Sequence, residues 1–439
     1  MPPANNPIDN ARKLQRTLYR AAKQNGTRRF HALYDKVLRK DILWRAWQQV
    51  RSNRGAAGVD GQTLQDVENS GVDALLQELA TDLQAGRYRP RPVRRVFIPK
   101  PDGRQRPLGV PAVRDRIVQA AVKIVVEPIF EADFQPCSYG FRPKRSAHDA
   151  NEVIRRTANS GYEWVVDADI ENYFETIDHE LLMGLVSERI SDRRMLKLIR
   201  QFLTAGVLED GSVRRAATGT PQGGVLSPVL ANVYLTALDR AWSQHHGHLG
   251  RLVRYADDLV IMCRSEGAAK EAMHQLEHHL SLLHLKLHST KTRVVALRAG
   301  RDGFDFLGFH HRKVRSWRNG RYYLQKWPSR RALHALRTNV RSAIGGRHLV
   351  YWPLADVVRA LNPILRGWGN YFALGNSSRH FSQMDMYAAE QVYLFLSRKH
   401  GKSGRGWATR WAHVDLYALG LYRLSGTVKR YSGNAHATG

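Results

Sequence analysis

Apolar positions recur with two different periods along this chain. Over residues 11–50, Leu14, Leu18, Leu33, Val37, Leu38 and Ile42 stand among basic residues at helical spacing. Gly55, Gly58 and Gly61 in GAAGVDGQT break that pattern. Val72, Leu75, Leu76 and Leu79 then give a helix over 72–84 its apolar face. From Tyr88 the texture changes. RPVRRVFIPKPDGRQRPLGVP predicts two strands joined by a turn at Pro101-Asp102-Gly103. A helix from Arg114 to Val126 is expected to stop before Pro128. Trp164 to Ile170 reads as a short apolar strand that ends in carboxylates. Arg251 to Tyr255 and Leu259 to Cys263 read as strands on either side of Ala256-Asp257-Asp258. Between them SPVLANVYLTALDRAW predicts a helix with Ser227 as N-cap and Pro228 at its first position. Residues 266–285 form another helix, and the chain after Phe309 is expected to be helical. Short strands alternating with helices make the middle of the chain α+β.

Charge changes the picture. The 439 residues, enough for two to four structural units, carry 68 Lys and Arg against 39 Asp and Glu. The net charge of +29 points to a polyanionic partner. An anionic membrane is the less favoured polyanion, since no amphipathic or lipidation signal and no spanning apolar run accompanies the charge, so no membrane partner is expected. Cys137 and Cys263 lie too far apart for a disulfide framework or a CxxC zinc pair. A reducing, cytoplasmic setting fits, as does the polar stretch from Met1 to Asn10. The histidine pairs His278-His279 and His310-His311 lack company suited to metal binding and read as core or surface residues.

The chemistry concentrates in acidic side chains. Asp257 and Asp258 adjoin at a predicted hairpin tip, where two like charges cost stability unless a cation neutralises them. A hard, oxygen-seeking ion such as magnesium does so; a solvated Asp-Asp turn is the plain alternative. VVDADIENYF adds Asp169 near the end of an apolar strand, with Asp167 two residues earlier as a rival on the same strand face. Three carboxylates from two strands can hold two metal ions, one activating a primer 3′-hydroxyl and the other holding the triphosphate. GTPQGGVLSP offers glycines for close backbone approach and the Gln222 amide for hydrogen bonding.

In this order and spacing, DIENYF, GTPQGGVLSPVLANVYL, RYADDLVI, HSTKT and FDFLGF resemble reverse transcriptase motifs in the version of the group II intron-encoded family. IPKPDGRQRPLGVPAVRDRIVQ and SYGFRPKRSAHDA resemble that family's fingers, GVDGQT the segment before them, and LNPILRGWGNYF its maturase or thumb segment. The resemblance covers roughly residues 30–425. It implies a right-hand polymerase with fingers, an antiparallel palm sheet and a helical thumb, copying RNA into DNA and binding intron RNA as a splicing maturase. It assigns Asp169, Asp257 and Asp258 as ligands of two Mg2+ ions, with Mn2+ a possible substitute. Lys100 and Arg106 match the residues that hold the incoming triphosphate, a point charge and a fork suited to it. Phe174 matches the residue under the sugar, where its ring would collide with a 2′-hydroxyl; ordinary core is the alternative, and Tyr173 beside it complicates the assignment. Gln222 matches a residue near template and nucleotide. Lys291 matches a lysine near the primer end, with a surface salt bridge as its alternative.

The implied partners are an RNA template, a DNA primer, a group II intron RNA and a DNA target; the oligomeric state is not legible. The expected layout is an N-terminal extension and start of fingers at 1–85, fingers at 86–160, palm at 161–304, thumb at 305–396 and a basic DNA-binding remnant at 397–439. No acidic residue lies between Asp305 and Asp356, and eleven there are Lys or Arg. Arg330, Arg337 and Arg341 share one helical stripe beside Leu333, Leu336, Val340 and Ile344, a face suited to phosphates. Trp317, Tyr322, Tyr323 and Trp327 can stack on bases, though core is the more usual place for such rings. RKHGKSGRGWATR at 398–410 is expected to contact backbone. With no cysteine after Cys263, the Cys/His endonuclease that often ends family members is not expected. A free-standing relative in phage defence, repair or a CRISPR-linked system is the alternative setting, a maturase acting mainly as an RNA-binding splicing cofactor the alternative role, and an RNA-directed RNA polymerase the alternative chemistry.

Overall fold

The computed structural model describes residues 7–99, 105–209, 212–214, 218–220, 223–402 and 404–429. Lys100, Gln222 and the turn at Pro101-Asp102-Gly103 lie outside the described residues. Packing divides the chain into two compact units: Met1–Ala150 with Val166–Val294, and Asn151–Val165 with the chain from Val295 onward. The strands are β1 (Val93–Pro99), β2 (Gln105–Val110), β3 (Trp164–Asp169), β4 (Val207–Glu209), β5 (Ser212–Arg214), β6 (Gly250–Tyr255), β7 (Asp258–Cys263), β8 (Arg293–Ala296), β9 (Gly303–Phe306), β10 (Phe309–Arg315) and β11 (Tyr322–Pro328).

β2-β1-β4-β5 form one four-stranded sheet, and β6-β7-β3-β8 form the palm sheet. β1 and β2 are antiparallel, with Ile98 opposite Arg106. The helical stretch expected near the N-terminus comes as three pieces, Pro7–Gln24, Tyr34–Val37 and Lys40–Ser52. The breaks are built in. The Arg189 guanidinium donates to the carbonyls of Ala22 and Gly26, and the Asp192 carboxylate accepts from the backbone N–H of Leu33 and Tyr34, both at 2.8 Å.

These helices flank a central one, Val113–Glu131, which is buried on nearly every side. It does not stop before Pro128 but runs through it. Proline removes the N–H that would bond the carbonyl four residues back, that of Ile124. Gln15 supplies a substitute, its Nε2 donating to that carbonyl at 3.2 Å. Burial of Ile129 and Phe130 holds the last turn. A second correction concerns the helix Ser227–Ala241: Leu226, not Ser227, is its N-cap, and Ser227 occupies the first helical position with Pro228 after it.

In the second unit, the chain after Phe309 is not helical at first. β10 and β11 pair antiparallel, with β9 on the other side of β10. Their inward positions include His311, Lys313 and Lys326, all buried. His311 bonds Asn151 Oδ1 at 2.7 Å, and Lys313 pairs with Glu163 at 2.7 Å. Helices Arg330–Ile344, Leu354–Phe372 and Ser378–Lys399 follow. Leu336, Val340, Leu361, Phe381, Val392 and Phe395 form their core, joined by Leu416, Leu421 and Leu424 from the last segment. Asp385 clamps that segment, accepting from the N–H of Leu424 and Ser425 at 2.8 Å each. The described chain beyond residue 397 is thus packed into the thumb core rather than set apart from it. Among the described residues no helix is long and apolar enough to cross a membrane.

Candidate active site

The β6–β7 hairpin closes in two residues, because Tyr255 pairs directly with Asp258. Ala256 takes a φ of +57°, in the left-handed region that side chains with a Cβ avoid. Two contacts hold this strained tip. Gly140 lies so close that an added Cβ would stand 2.4 Å from the Ala256 nitrogen. Arg254 is fully buried behind the tip and donates to the Ala256 carbonyl at 2.9 Å.

The same guanidinium grips Asp239 through Nε at 2.8 Å and Nη2 at 2.5 Å, and Asn232 Oδ1 through Nη1 at 3.0 Å. Asp239 and Asn232 are one stripe of the helix Ser227–Ala241, and Asn232 Nδ2 donates to the Gly140 carbonyl at 2.8 Å. A buried cation is tolerated only when its donors are met, and here they are. These three positioning residues went unassigned in the sequence. Their signal was polar residues seven apart in an otherwise apolar helix, opposite an arginine in an apolar strand.

Asp169 ends β3, and its carbonyl accepts from the His288 N–H at 2.8 Å. Its carboxylate forms an ion pair with Lys291, and Asp167 pairs with Arg293 at 3.3 Å. The carboxylates share one electrostatic field. Burial raises the Asp257 carboxyl above its ordinary range, and Asp169 adds to the rise while Arg106 and Arg254 oppose it. Asp258 remains open to solvent on one side but is hemmed in by protein on the others. Desolvation, then Asp257, Asp169 and Asp167, push it up to about 7, with Lys291 acting against them. Solvent screening tempers the energetic weight of that repulsion.

The GTPQGG segment reaches the same place. The Thr220 N–H donates to the Phe174 carbonyl at 2.7 Å, and the Gly219 N–H to that of Ile177 at 2.8 Å. Gly219 has a φ of +92°, and a Cβ there would come 2.9 Å from the Glu175 carbonyl. Gly223 abuts Gly109 of β2 in the same way. Phe174 is buried, edge-on to Tyr173 with ring centroids 5.3 Å apart. Tyr173 is the more enclosed of the two, its hydroxyl donating to the Ala231 carbonyl at 2.5 Å. Tyr173 is thereby fastened to the helix Ser227–Ala241.

Asp169, Asp257, Asp258, Arg106 and Lys291 therefore act on one another, and Phe174 lies on the turn after β3. The donor set is all carboxylate oxygen, which suits a hard divalent ion. Among the described residues no three His, Cys, Asp or Glu side chains are already arranged to hold a metal; Lys291 supplies the positive charge at Asp169 in this arrangement. Arg330, Arg337 and Arg341 belong to the other unit. All three are exposed on the helix Arg330–Ile344, and Arg337 lies over the Tyr387 ring at 5.7 Å. Trp317, Tyr322 and Tyr323 are exposed there, whereas Trp327 stacks on His380.

Residues 98–311 match the reverse transcriptase (RNA-dependent DNA polymerase) family, and residues 333–412 match the group II intron, maturase-specific domain. Protein YkfC of Escherichia coli is 36% identical over 69% of this chain and 88% of its own length. The chain belongs to the group II intron-type reverse transcriptase and maturase family. The group II intron-encoded protein LtrA of Lactococcus lactis is 42% identical to this reverse transcriptase over 48% of the chain, a match that spans 35% of LtrA. Among solved structures, a partial Cas6-RT-Cas1–Cas2 complex matches with a TM-score of 0.36 and 25% identity over 57% of this chain and 42% of that one. RNA-directed DNA polymerase and maturase functions are those of the family, and RNA is its partner. A divalent metal is a general requirement of reverse transcriptases.

Proposed function

We propose that this chain copies an RNA template into DNA from a DNA primer, with Asp169, Asp257 and Asp258 holding two Mg2+ ions for which Mn2+ can substitute. Held there, such ions would supply activation of the primer 3′-hydroxyl and neutralisation of charge on the departing pyrophosphate. The protein's own part is positioning. Arg254, Asp239 and Asn232 fix the tip that carries Asp257 and Asp258. Arg106, with Lys100, takes the triphosphate. Phe174 closes the space a ribose 2′-hydroxyl would need, and Gln222 meets the template-nucleotide pair. Lys291, paired with Asp169 here, would stay near the primer end if Asp169 held an ion. We place the reaction in the cytoplasm.

The observation that carries this reading is the strand order: β3, which ends in Asp169, lies beside β7, which begins at Asp258 of the hairpin tip. Primer extension on an RNA template with magnesium and deoxynucleotides tests it. Full-length cDNA is expected, and Asp257→Asn with Asp258→Asn is expected to stop synthesis. Undiminished synthesis by that variant, or ribonucleotides used as well as deoxynucleotides, would overturn it.

A second role is favoured by the maturase-specific match and by the exposed arginine stripe. The chain would bind its group II intron RNA so that it splices, and a DNA target for reinsertion. Splicing in vitro should survive Asp257→Ala with Asp258→Ala, because that role uses basic surface and not the acids.

A further inference from the structure

The helix Ser227–Ala241 does not end where its α-turns do. It continues through Trp242–His246 as a π-helix. Such a turn is rare, shifts the facing of the residues it carries and is frequent at functional sites. Here it aims His246 at the helix Glu266–Leu282. The His246 and His279 Nε2 atoms stand 2.8 Å apart, with ring centroids 4.9 Å apart. His245 and His278 flank the pair, with ring centroids 6.3 Å from His246 and 5.5 Å from His279. The inner two are half-buried and the outer two exposed, so the group is open to solvent.

We propose that His246 and His279 are the nucleus of a binding site for a divalent transition-metal ion of the zinc type, separate from the carboxylates of the palm. Imidazole selects zinc, copper and nickel, whereas carboxylate and water suit magnesium. Two imidazole nitrogens bound to a tetrahedral zinc stand about 3.3 Å apart, so the rings need part by only about 0.5 Å. Without an ion the pair shares a proton in an N–H···N bond, which holds the two nitrogens together for the metal to replace it. Among the described residues no three-ligand cage is ready formed. The ion completes its shell with water. Burial, then the neighbouring histidines, hold the His246 and His279 rings below the usual imidazole range, against the pull of Glu271 on His246. The rings are therefore neutral near pH 7, the form that ligates metal.

The test uses untagged full-length protein freed of metal, titrated with Zn2+ by calorimetry and with Co2+ by absorption, in excess Mg2+. One saturable ion per chain is expected, unaffected by Asp257→Asn with Asp258→Asn. His246→Gln with His279→Gln should weaken binding by at least the roughly 10–100-fold that even an outer-shell change costs. Zinc should also raise the melting temperature of the parent and not of that variant. A reading that needs no variant comes from diethyl pyrocarbonate, since zinc should protect His246 and His279 from modification. No saturable binding, equal affinity in the histidine variant, or equal modification with and without zinc would each overturn the proposal.

Discussion

The β6–β7 tip and the helix Arg330–Ile344 carry charge in opposite ways. At the tip, two exposed or half-exposed acids rest on a buried cation whose donors meet Asp239, Asn232 and the Ala256 carbonyl. On the helix, Arg330, Arg337 and Arg341 point to solvent, and none of the three forms a salt bridge with a described carboxylate. The difference follows from the task. Transfer of a nucleotide tolerates errors of a fraction of an ångström, so its side chains need a rigid support. A nucleic-acid backbone presents the same charge at every step, so a grip on it needs density of charge and freedom to follow. Damage to the first region should therefore be all-or-none, and damage to the second graded.

The largest expected effect is at the tip. Asp257→Asn with Asp258→Asn should bring primer extension to background while RNA binding, measured by filter retention, stays near that of the parent. Comparable residual synthesis in that variant and in Arg330→Ala would erase the contrast. Next comes the support. Asp239→Ala leaves Arg254 buried without its counter-charge, and the fold should lose about 3–5 kcal/mol, read from urea unfolding of the whole chain. A change within error of zero would mean that the tip does not depend on the buried pair.

The pH response sharpens the same point. Asp258 ordinarily titrates near 3.8 and is held at about 7 in the fold. Between those values the folded state keeps a proton that the unfolded chain has lost. This group's contribution to stability is therefore greatest in acid, falls as pH rises through that window and is least above about 7. Without divalent ions, Asp258→Asn should remove that slope and melt at or above the parent at pH 8, though it is dead as an enzyme. Mg2+ should raise the parent's melting temperature at pH 8, less so at pH 5.5 where protons compete, and leave the variant unmoved. A parent and an Asp258→Asn variant whose stabilities change in parallel between pH 5 and pH 8 in metal-free buffer would contradict the raised Asp258 carboxyl.

The contrast also marks what could be read without a structure. The hairpin and β3 were legible because short apolar strands ending in Asp leave few alternatives, and the helices Val72–Gln84 and Arg330–Ile344 were legible from apolar spacing alone. What escaped reading was non-local. Pro128 stays inside its helix because Gln15, far upstream, satisfies the freed carbonyl. β10 and β11 are not legible as strands because His311, Lys313 and Lys326 occupy inward positions and blur the alternation; the partners Asn151 of His311 and Glu163 of Lys313 lie over a hundred residues away. The pairing of Lys291 with Asp169 likewise spans 122 residues. Local pattern gives elements; which charges face one another depends on how the elements pack.

The smallest effect expected is on the thumb, and its form matters more than its size. If Arg337 contacts a phosphate, Arg337→Ala removes one counterion release on binding. The plot of log affinity against log salt should then flatten by about 1. Binding should weaken by a similar factor for every RNA sequence tried, since a phosphate contact carries no base information. The Tyr387 ring beneath the guanidinium supplies a control. Tyr387→Leu removes the stack and keeps the charge, so it should lower affinity with the salt slope unchanged. An Arg337→Ala variant whose defect ignores ionic strength would show that the residue supports Tyr387 rather than the nucleic acid, and the stripe would then reduce to Arg330 and Arg341.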